Sequence, residues 1–147
     1  MQRYTILFLL WAFVGTAVAQ SFPDDLYATP MGSDLPDHQW SFKQGHDFDV
    51  INFKNSKGNG VQIYMGVNES TAIKTDNYLN AVVMGKPARL YEKCDPIDSC
   101  MYSTMVKAGS LVNGNDLWTQ IWINPEDKGD MNIYINWLAK LKFETRS

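Results

Sequence analysis

The chain has 147 residues, with 13 Lys and Arg against 16 Asp and Glu, and a formal charge of -3 at pH 7. Hydrophobic residues make up 45% of the sequence and aromatic residues 13%, a content that excludes an intrinsically disordered chain. The mildly acidic balance, without any run of basic residues, argues against nucleic acid and anionic membranes as the main partners.

Residues 1–19 have the composition of a secretory signal peptide. Arg3 forms a short basic region, residues 5–14 form an apolar region, and Ala17 and Ala19 precede a cleavage site at Gln20. An uncleaved membrane anchor is the alternative, but it needs about 20 apolar residues. The sequence predicts cleavage and a periplasmic or secreted protein. Removing 19 of the 147 residues leaves 128, which suits a single domain.

Cys94 and Cys100 are the only two cysteines, and a short loop containing Pro96 separates them. A zinc site would need further ligands, and redox pairs use the tighter Cys-x-x-Cys spacing. In an exported chain, this pair indicates one structural disulfide bond. We expect it to constrain a turn between two strands.

Residues 20–45 are predicted to form an irregular N-terminal arm, and residues 46–147 a single α+β domain. Within that domain, short apolar runs alternate with clusters of turn-forming residues. The clearest pattern is a β-hairpin, in which residues 48–53 and 61–65 flank the polar turn 55–60. Further strands are predicted at 78–84, 88–92, 101–106 and 117–123.

The C-terminal segment changes period. Met131, Tyr134, Ile135, Leu138 and Leu141 are spaced by three and four residues, as on one face of a helix. Acidic residues precede this set and basic residues end it, which matches the helix dipole. The β-favouring residues 133–135 leave a strand as the alternative. The predicted fold is therefore α+β: an antiparallel sheet of five or six strands with a C-terminal α-helix packed on one face.

Two segments are distinctive: Gly-His-Asp-Phe-Asp-Val at 45–50 and Gly-Asn-Gly-Val-Gln-Ile-Tyr-Met-Gly at 58–66. They resemble small exported proteins of Gram-negative bacteria whose function is unassigned. The resemblance covers about the first half of the mature chain and, more loosely, its end. It implies a periplasmic setting and the architecture above, and it assigns no catalytic residue.

Histidines and carboxylates cluster at Asp37, His38, His46, Asp47 and Asp49. Such groups are able to bind a metal or to act as a general base. In an extended strand, however, His46 points away from the side shared by Asp47 and Asp49. The serines also lack the motif of a hydrolase nucleophile. We therefore predict no catalytic residue, no metal and no cofactor, and we interpret the chain as a non-enzyme.

Aromatic residues are the better candidates for binding. The predicted strand 117–123 places Leu117, Thr119, Ile121 and Ile123 on one side and Trp118, Gln120 and Trp122 on the other. If the helix covers the tryptophan side, these residues are ordinary core. If it does not, they form an amphipathic binding patch.

The first functional hypothesis is an inhibitor or immunity-type protein that neutralises an enzyme acting on the cell envelope. Its partner would be a secreted or periplasmic protein such as a toxic effector enzyme. We expect no binding to nucleic acid and, after signal cleavage, no association with a membrane. The residues predicted to bind that partner are Asp95, Ile97 and Asp98 on the disulfide loop, with Trp118 and Trp122 beside the sheet. A glycan- or peptidoglycan-binding module is the alternative, and an envelope hydrolase built around His38 and His46 is a third hypothesis.

Overall fold

The computed structural model describes residues 28–31, 35–67, 73–97, 99–111 and 113–145, with side chains from Leu35 to Lys142. The predicted signal peptide at 1–19 lies outside the described residues. No helix in the described ranges is long and apolar enough to cross a membrane.

Nine strands, a short 3-10 turn at Lys128–Asp130 and one α-helix make up the described part of the chain. The strands are β1 (Ala28–Met31), β2 (Gln39–Gln44), β3 (Phe48–Lys54), β4 (Gly60–Gly66), β5 (Tyr78–Val83), β6 (Lys86–Cys94), β7 (Cys100–Ser110), β8 (Asp116–Asn124) and β9 (Lys142–Thr145). The helix is α1 (Met131–Lys140).

Seven strands form one antiparallel sheet in the order β2-β3-β4-β8-β7-β6-β5, and β1 pairs with β9 separately. The meander β2-β3-β4 is joined to the meander β5-β6-β7-β8 by the pairing of β4 with β8. The predicted α+β fold with five or six strands is therefore wrong. The described part of the protein is mostly β, with 55% of its residues in strands and 13% helical.

Strand β2 accounts for the undercount, because it lies inside the segment that we predicted to be irregular. Its two apolar residues, Trp40 and Phe42, alternate with Gln39, Ser41 and Lys43, but two apolar positions are too few to identify a strand. It forms because an edge strand needs only one neighbour, and β3 supplies the whole ladder, with Gln39 opposite Lys54 and Gln44 opposite Asp49.

The predicted hairpin of β3 and β4 is confirmed, and the side chain of Asn55 organises its turn. Asn55 Oδ1 accepts hydrogen bonds from the backbone N–H groups of Lys57 and Asn59, each at 3.0 Å. Gly60 then opens β4 at a φ of 153°. A Cβ at this position would overlap the carbonyl oxygen of Phe53, so only glycine fits here.

A tighter turn connects β5 and β6. Met84 and Gly85 have φ values of 54° and 73°, the two positive values that a type I′ hairpin requires. The predicted break at 85–87 is therefore too long, because Lys86 and Pro87 already pair with Val83 and Val82.

The strand registers sort the side chains into two faces. On the inner face, Tyr102 lies opposite Ile123, Ile123 opposite Val61, and Val61 opposite Phe53. The next row on this face joins Thr104, Ile121, Ile63 and Ile51 in the same way. Both rows are buried, and they form the centre of the hydrophobic core.

Helix α1 packs on this inner face and shows that the sheet curls around it. The Trp137 ring contacts Phe53 of β3 with centroids 4.9 Å apart. The next residue, Leu138, accepts a hydrogen bond through its carbonyl oxygen from Met84 N–H at 3.3 Å, at the end of β5. In a flat sheet, β3 and β5 would be about 24 Å apart. Neighbouring residues of one helix contact both strands only if the sheet is strongly curved.

The helix is preceded by an acidic turn and followed by a strand. Asp127 Oδ1 accepts a hydrogen bond from Gly129 N–H at 2.7 Å, which caps the 3-10 turn. Three residues of the predicted apolar face lie in the helix and are buried: Met131, Tyr134 and Leu138. The helix ends at Lys140 because Leu141 is extended, and the chain continues as β9.

Candidate functional site

The disulfide predicted from the sequence is confirmed. Cys94 and Cys100 lie opposite each other at the end of the β6–β7 ladder and are bonded. A carboxylate oxygen of Glu92 and the two sulfur atoms lie within 4.8 Å of one another. Because the sulfurs are bonded to each other, neither is a thiolate ligand, and this group is not a metal site.

The loop closed by this disulfide is braced from inside by Asp95. The Asp95 N–H donates to the carbonyl oxygen of Ser99 at 2.9 Å. Its Oδ1 accepts hydrogen bonds from Ile97 N–H at 3.2 Å and from Ser99 N–H at 2.9 Å. The carboxylate that we predicted to contact a partner therefore holds the loop in shape. Asp98 lies outside the described residues.

Ile97 is 84% exposed, far more than the other exposed large hydrophobic residues in the described ranges, which reach 38% to 49%. It borders a recess of about 530 Å³ between the disulfide loop and the segment that follows β8. The recess is lined by Asn59, Ile97, Ser99, Cys100, Pro125, Glu126, Asp127 and Lys128. The structure thus places an apolar side chain at the rim of a polar recess.

Two ion pairs tie the far wall of this recess to the sheet. Lys57, in the β3–β4 turn, pairs with Glu126. Lys128 Nζ lies 3.0 Å from Glu92 Oε1, so the 3-10 turn is joined to β6. The loop and the wall facing it therefore belong to one braced end of the sheet.

Glu92 also accepts a hydrogen bond from the Tyr102 hydroxyl at 2.7 Å, on the inner face of the sheet. Burial, together with this hydrogen bond, raises the pKa of Tyr102 to about 12. The same hydrogen bond and the contact with Lys128 hold the pKa of Glu92 below its usual value. Glu92 is therefore a carboxylate that anchors the base of the hairpin.

Trp118 and Trp122 are half-buried on the outer face of β8, opposite the face that α1 covers. Gln120 lies between them and is only 2% exposed, and its Oε1 atom is buried with no hydrogen-bond partner. Trp122 lies near the end of β8 that carries the recess, whereas Trp118 is about 13 Å further along the strand. The structure groups Trp122, but not Trp118, with the disulfide loop.

The two histidines are not brought together. His38 Nδ1 lies 2.6 Å from the carbonyl oxygen of Pro36, to which it must donate, so its Nε2 accepts from the Tyr134 hydroxyl at 3.2 Å. His38 therefore braces the start of β2 against α1. The side chain of His46 is 99% exposed in the β2–β3 turn, at the opposite end of β2, about 20 Å away.

The carboxylates of this cluster separate as well. Asp49 is 1% exposed on the inner face, whereas Asp47 is exposed beside His46, with Oδ1 3.7 Å from Nε2. Asp37 lies in the turn before β2 with a φ of 60°. The predicted cluster thus does not form one site.

Two clefts on the outer face were not predicted from the sequence. The first, of about 320 Å³, is lined by Asn52, Lys54, Gly58, Gly60, Val61, Gln62, Met101, Trp122 and Asn124. The second, of about 390 Å³, is lined by Lys74, Asn80, Pro87, Ala88, Arg89, Tyr91, Thr104, Met105 and Val106. The polar alternation of β3, β4 and β6 was a signal, but only the strand register shows which residues share a cleft.

Comparisons of the chain with protein families, with curated proteins and with solved structures found no match.

Proposed function

We propose that this chain is an exported binding protein that blocks an enzyme of the cell envelope through its disulfide loop, as an inhibitor or immunity-type protein. Ile97 is the observation that carries the proposal. An exposed isoleucine at a loop tip costs the free protein hydrophobic free energy, which burial in a partner's pocket would recover.

The stiffness of the loop supports the same function. The Cys94–Cys100 bond, the Asp95 backbone bond and the two hydrogen bonds to Asp95 Oδ1 hold the loop before any partner arrives. A preorganised loop loses little conformational entropy on binding. Affinity then depends mainly on how well the partner's pocket accepts the isoleucine.

The recess beside Ile97 suggests how a partner is oriented. Glu126, Asp127 and Lys128 line its far wall, and Ile97, Ser99 and Cys100 line the near one. A projection from the partner would enter the recess while Ile97 enters the partner. Such reciprocal insertion is typical of tight protein interfaces, and the polar rim confers selectivity.

Trp122 is retained as a secondary contact because it lies at the same end of the sheet as the loop. Trp118 is not, since the far end of β8 would lie outside an interface centred on Ile97. A hydrolase is not favoured, because His38 and His46 occupy opposite ends of β2 and His38 contacts the helix.

The test is capture of a partner from periplasmic extract on immobilised protein, followed by titration of purified variants. Ile97→Ala should weaken partner binding by roughly tenfold or more, the usual effect of removing a central anchor. Val82→Ala is the matched control, since Val82 is 43% exposed and lies opposite Pro87, at the end of β6 remote from the disulfide. The proposal would be contradicted if both variants bound the partner with equal affinity. It would also be contradicted if the captured partner were not an envelope enzyme that this protein inhibits.

A further inference from the structure

The outer face of the sheet is basic, although the chain as a whole carries a charge of -3. The strand registers place Lys43, Lys54, Arg89, Lys93 and Lys107 on this face. Within the described strands of this sheet, one acidic residue, Asp116, accompanies them at the end of β8. Its Oδ1 lies 2.6 Å from Lys107 Nζ, so this acidic side chain neutralises Lys107 alone.

The other cations of this face are available for a ligand. The salt bridges within the described ranges involve neither Lys54, Lys93 nor Arg89. The Arg89 guanidinium lies 4.5 Å from the centre of the Tyr78 ring, a cation–π contact that holds it in place while leaving its N–H groups free of carboxylates.

Each of the two outer clefts combines cations, side-chain amides and an aromatic ring. In the first, Lys54 lies near Trp122, and Gln62 Nε2 donates to Asn52 Oδ1 at 2.8 Å. That bond orients both amides and leaves the Asn52 NH₂ and the Gln62 carbonyl for a ligand.

The second cleft repeats this composition on the other side of β7. Lys74 and Arg89 supply charge, Asn80 an amide and Tyr91 a ring. Among the residues that the structure describes, no acidic side chain lines either cleft. Clefts of about 300 Å³ or more accommodate small ligands, such as a single unit of a polymer. A flat protein partner would leave such clefts unfilled.

We infer that the outer face binds an acidic glycan, with one sugar unit in each cleft. Trp122 and Tyr91 would pack against the apolar faces of the sugar rings, and the amides would hydrogen-bond to hydroxyl groups. Lys54, Lys74 and Arg89 would pair with the carboxylates of the glycan. Trp122 belongs to both surfaces, but this inference depends on neither the disulfide loop nor Ile97, so the proposed inhibition of an enzyme is tested separately.

Calorimetric titration with three probes tests the inference: oligogalacturonate, a neutral chito-oligosaccharide and poly-glutamate. Oligogalacturonate should bind more tightly than either of the others, and added NaCl should weaken its binding. Lys54→Gln/Arg89→Gln should weaken it by roughly tenfold, the effect expected from losing two exposed charge-assisted contacts. Trp122→Ala should weaken binding of the same probe while leaving its salt dependence unchanged.

Lys140→Gln is the control for charge, because Lys140 is exposed at the end of the helix, away from the outer face. Circular dichroism establishes that each variant is folded, and Lys54→Gln/Lys74→Gln replaces the first pair if loss of the Arg89–Tyr78 contact unfolds it. Three results would overturn the inference: no binding of oligogalacturonate, equal binding of poly-glutamate, or an equal loss in Lys140→Gln.

Discussion

Tyr102 illustrates how single residues at the base of the disulfide hairpin are fixed by polar contacts. It is 2% exposed, yet its hydroxyl donates to Glu92, which in turn contacts Lys128. Asp95 and His38 are similar, since each directs its polar atoms into the protein's own structure. Side chains that suggest chemistry in the sequence therefore act as braces in the fold.

The pKa of Tyr102 predicts how stability responds to alkaline pH. The folded state raises this pKa from 10 to about 12, so it retains the proton more strongly than the unfolded chain does. The stabilisation is therefore complete below pH 10 and is lost as the pH rises towards 12. Urea unfolding across this interval should show a fall in midpoint, and the fall should be shallower for Tyr102→Phe.

Some pH dependence should remain in that variant, because burial also raises the pKa of Tyr134. A pH profile of Tyr102→Phe identical to that of the wild type would show that this hydroxyl does not contribute.

At the level of elements, the β6–β7 hairpin supports the exposed loop. Its last rung is covalent, and Glu92 and Tyr102 form the next cross-strand pair on the same face of the sheet. The disulfide closes a loop of only six residue steps, so its effect on the entropy of the unfolded chain is small. We expect its main contribution to be the fixed position of Ile97.

Replacing both cysteines tests this view. Cys94→Ala/Cys100→Ala should lower the free energy of unfolding by about 2 kcal/mol, the value expected for so short a loop. Urea denaturation under non-reducing conditions measures the change. Ser99→Ala, in the same loop with the disulfide intact, should stay within about 0.5 kcal/mol of the wild type. Equal midpoints for all three proteins would mean that the disulfide has no stabilising effect.

The whole molecule depends on the curvature of the sheet around α1. Trp137 contacts Phe53 near one edge, and the Leu138 carbonyl bonds to Met84 at the other, so the helix connects two meanders that pair directly only through β4 and β8. This arrangement encloses the apolar inner face and leaves the basic outer face exposed to ligands.

Leu138→Asp tests the role of the helix. Leu138 is 0% exposed, so the variant would bury an unpaired charge and lose roughly 3 kcal/mol or more of stability. Thermal and urea unfolding measure this loss. Ala139→Asp introduces the same charge at the neighbouring exposed position and should cost less than about 1 kcal/mol. Similar costs for the two variants would contradict the packing described here.

The sequence by itself determined the features that depend on neighbouring residues: the β3–β4 hairpin, the Cys94–Cys100 bond, the helix at its apolar positions and the alternation of Trp118 and Trp122 with aliphatic residues. Local spacing is sufficient there because turn chemistry and side-chain period act over a few residues. The tertiary structure alone decided the seventh strand, because the short segment β2 becomes a strand only by pairing with β3. It also decided which sheet face the helix covers, and it separated His38 from His46. The clefts likewise depend on strand register between residues far apart in the chain, a long-range property that no local pattern encodes.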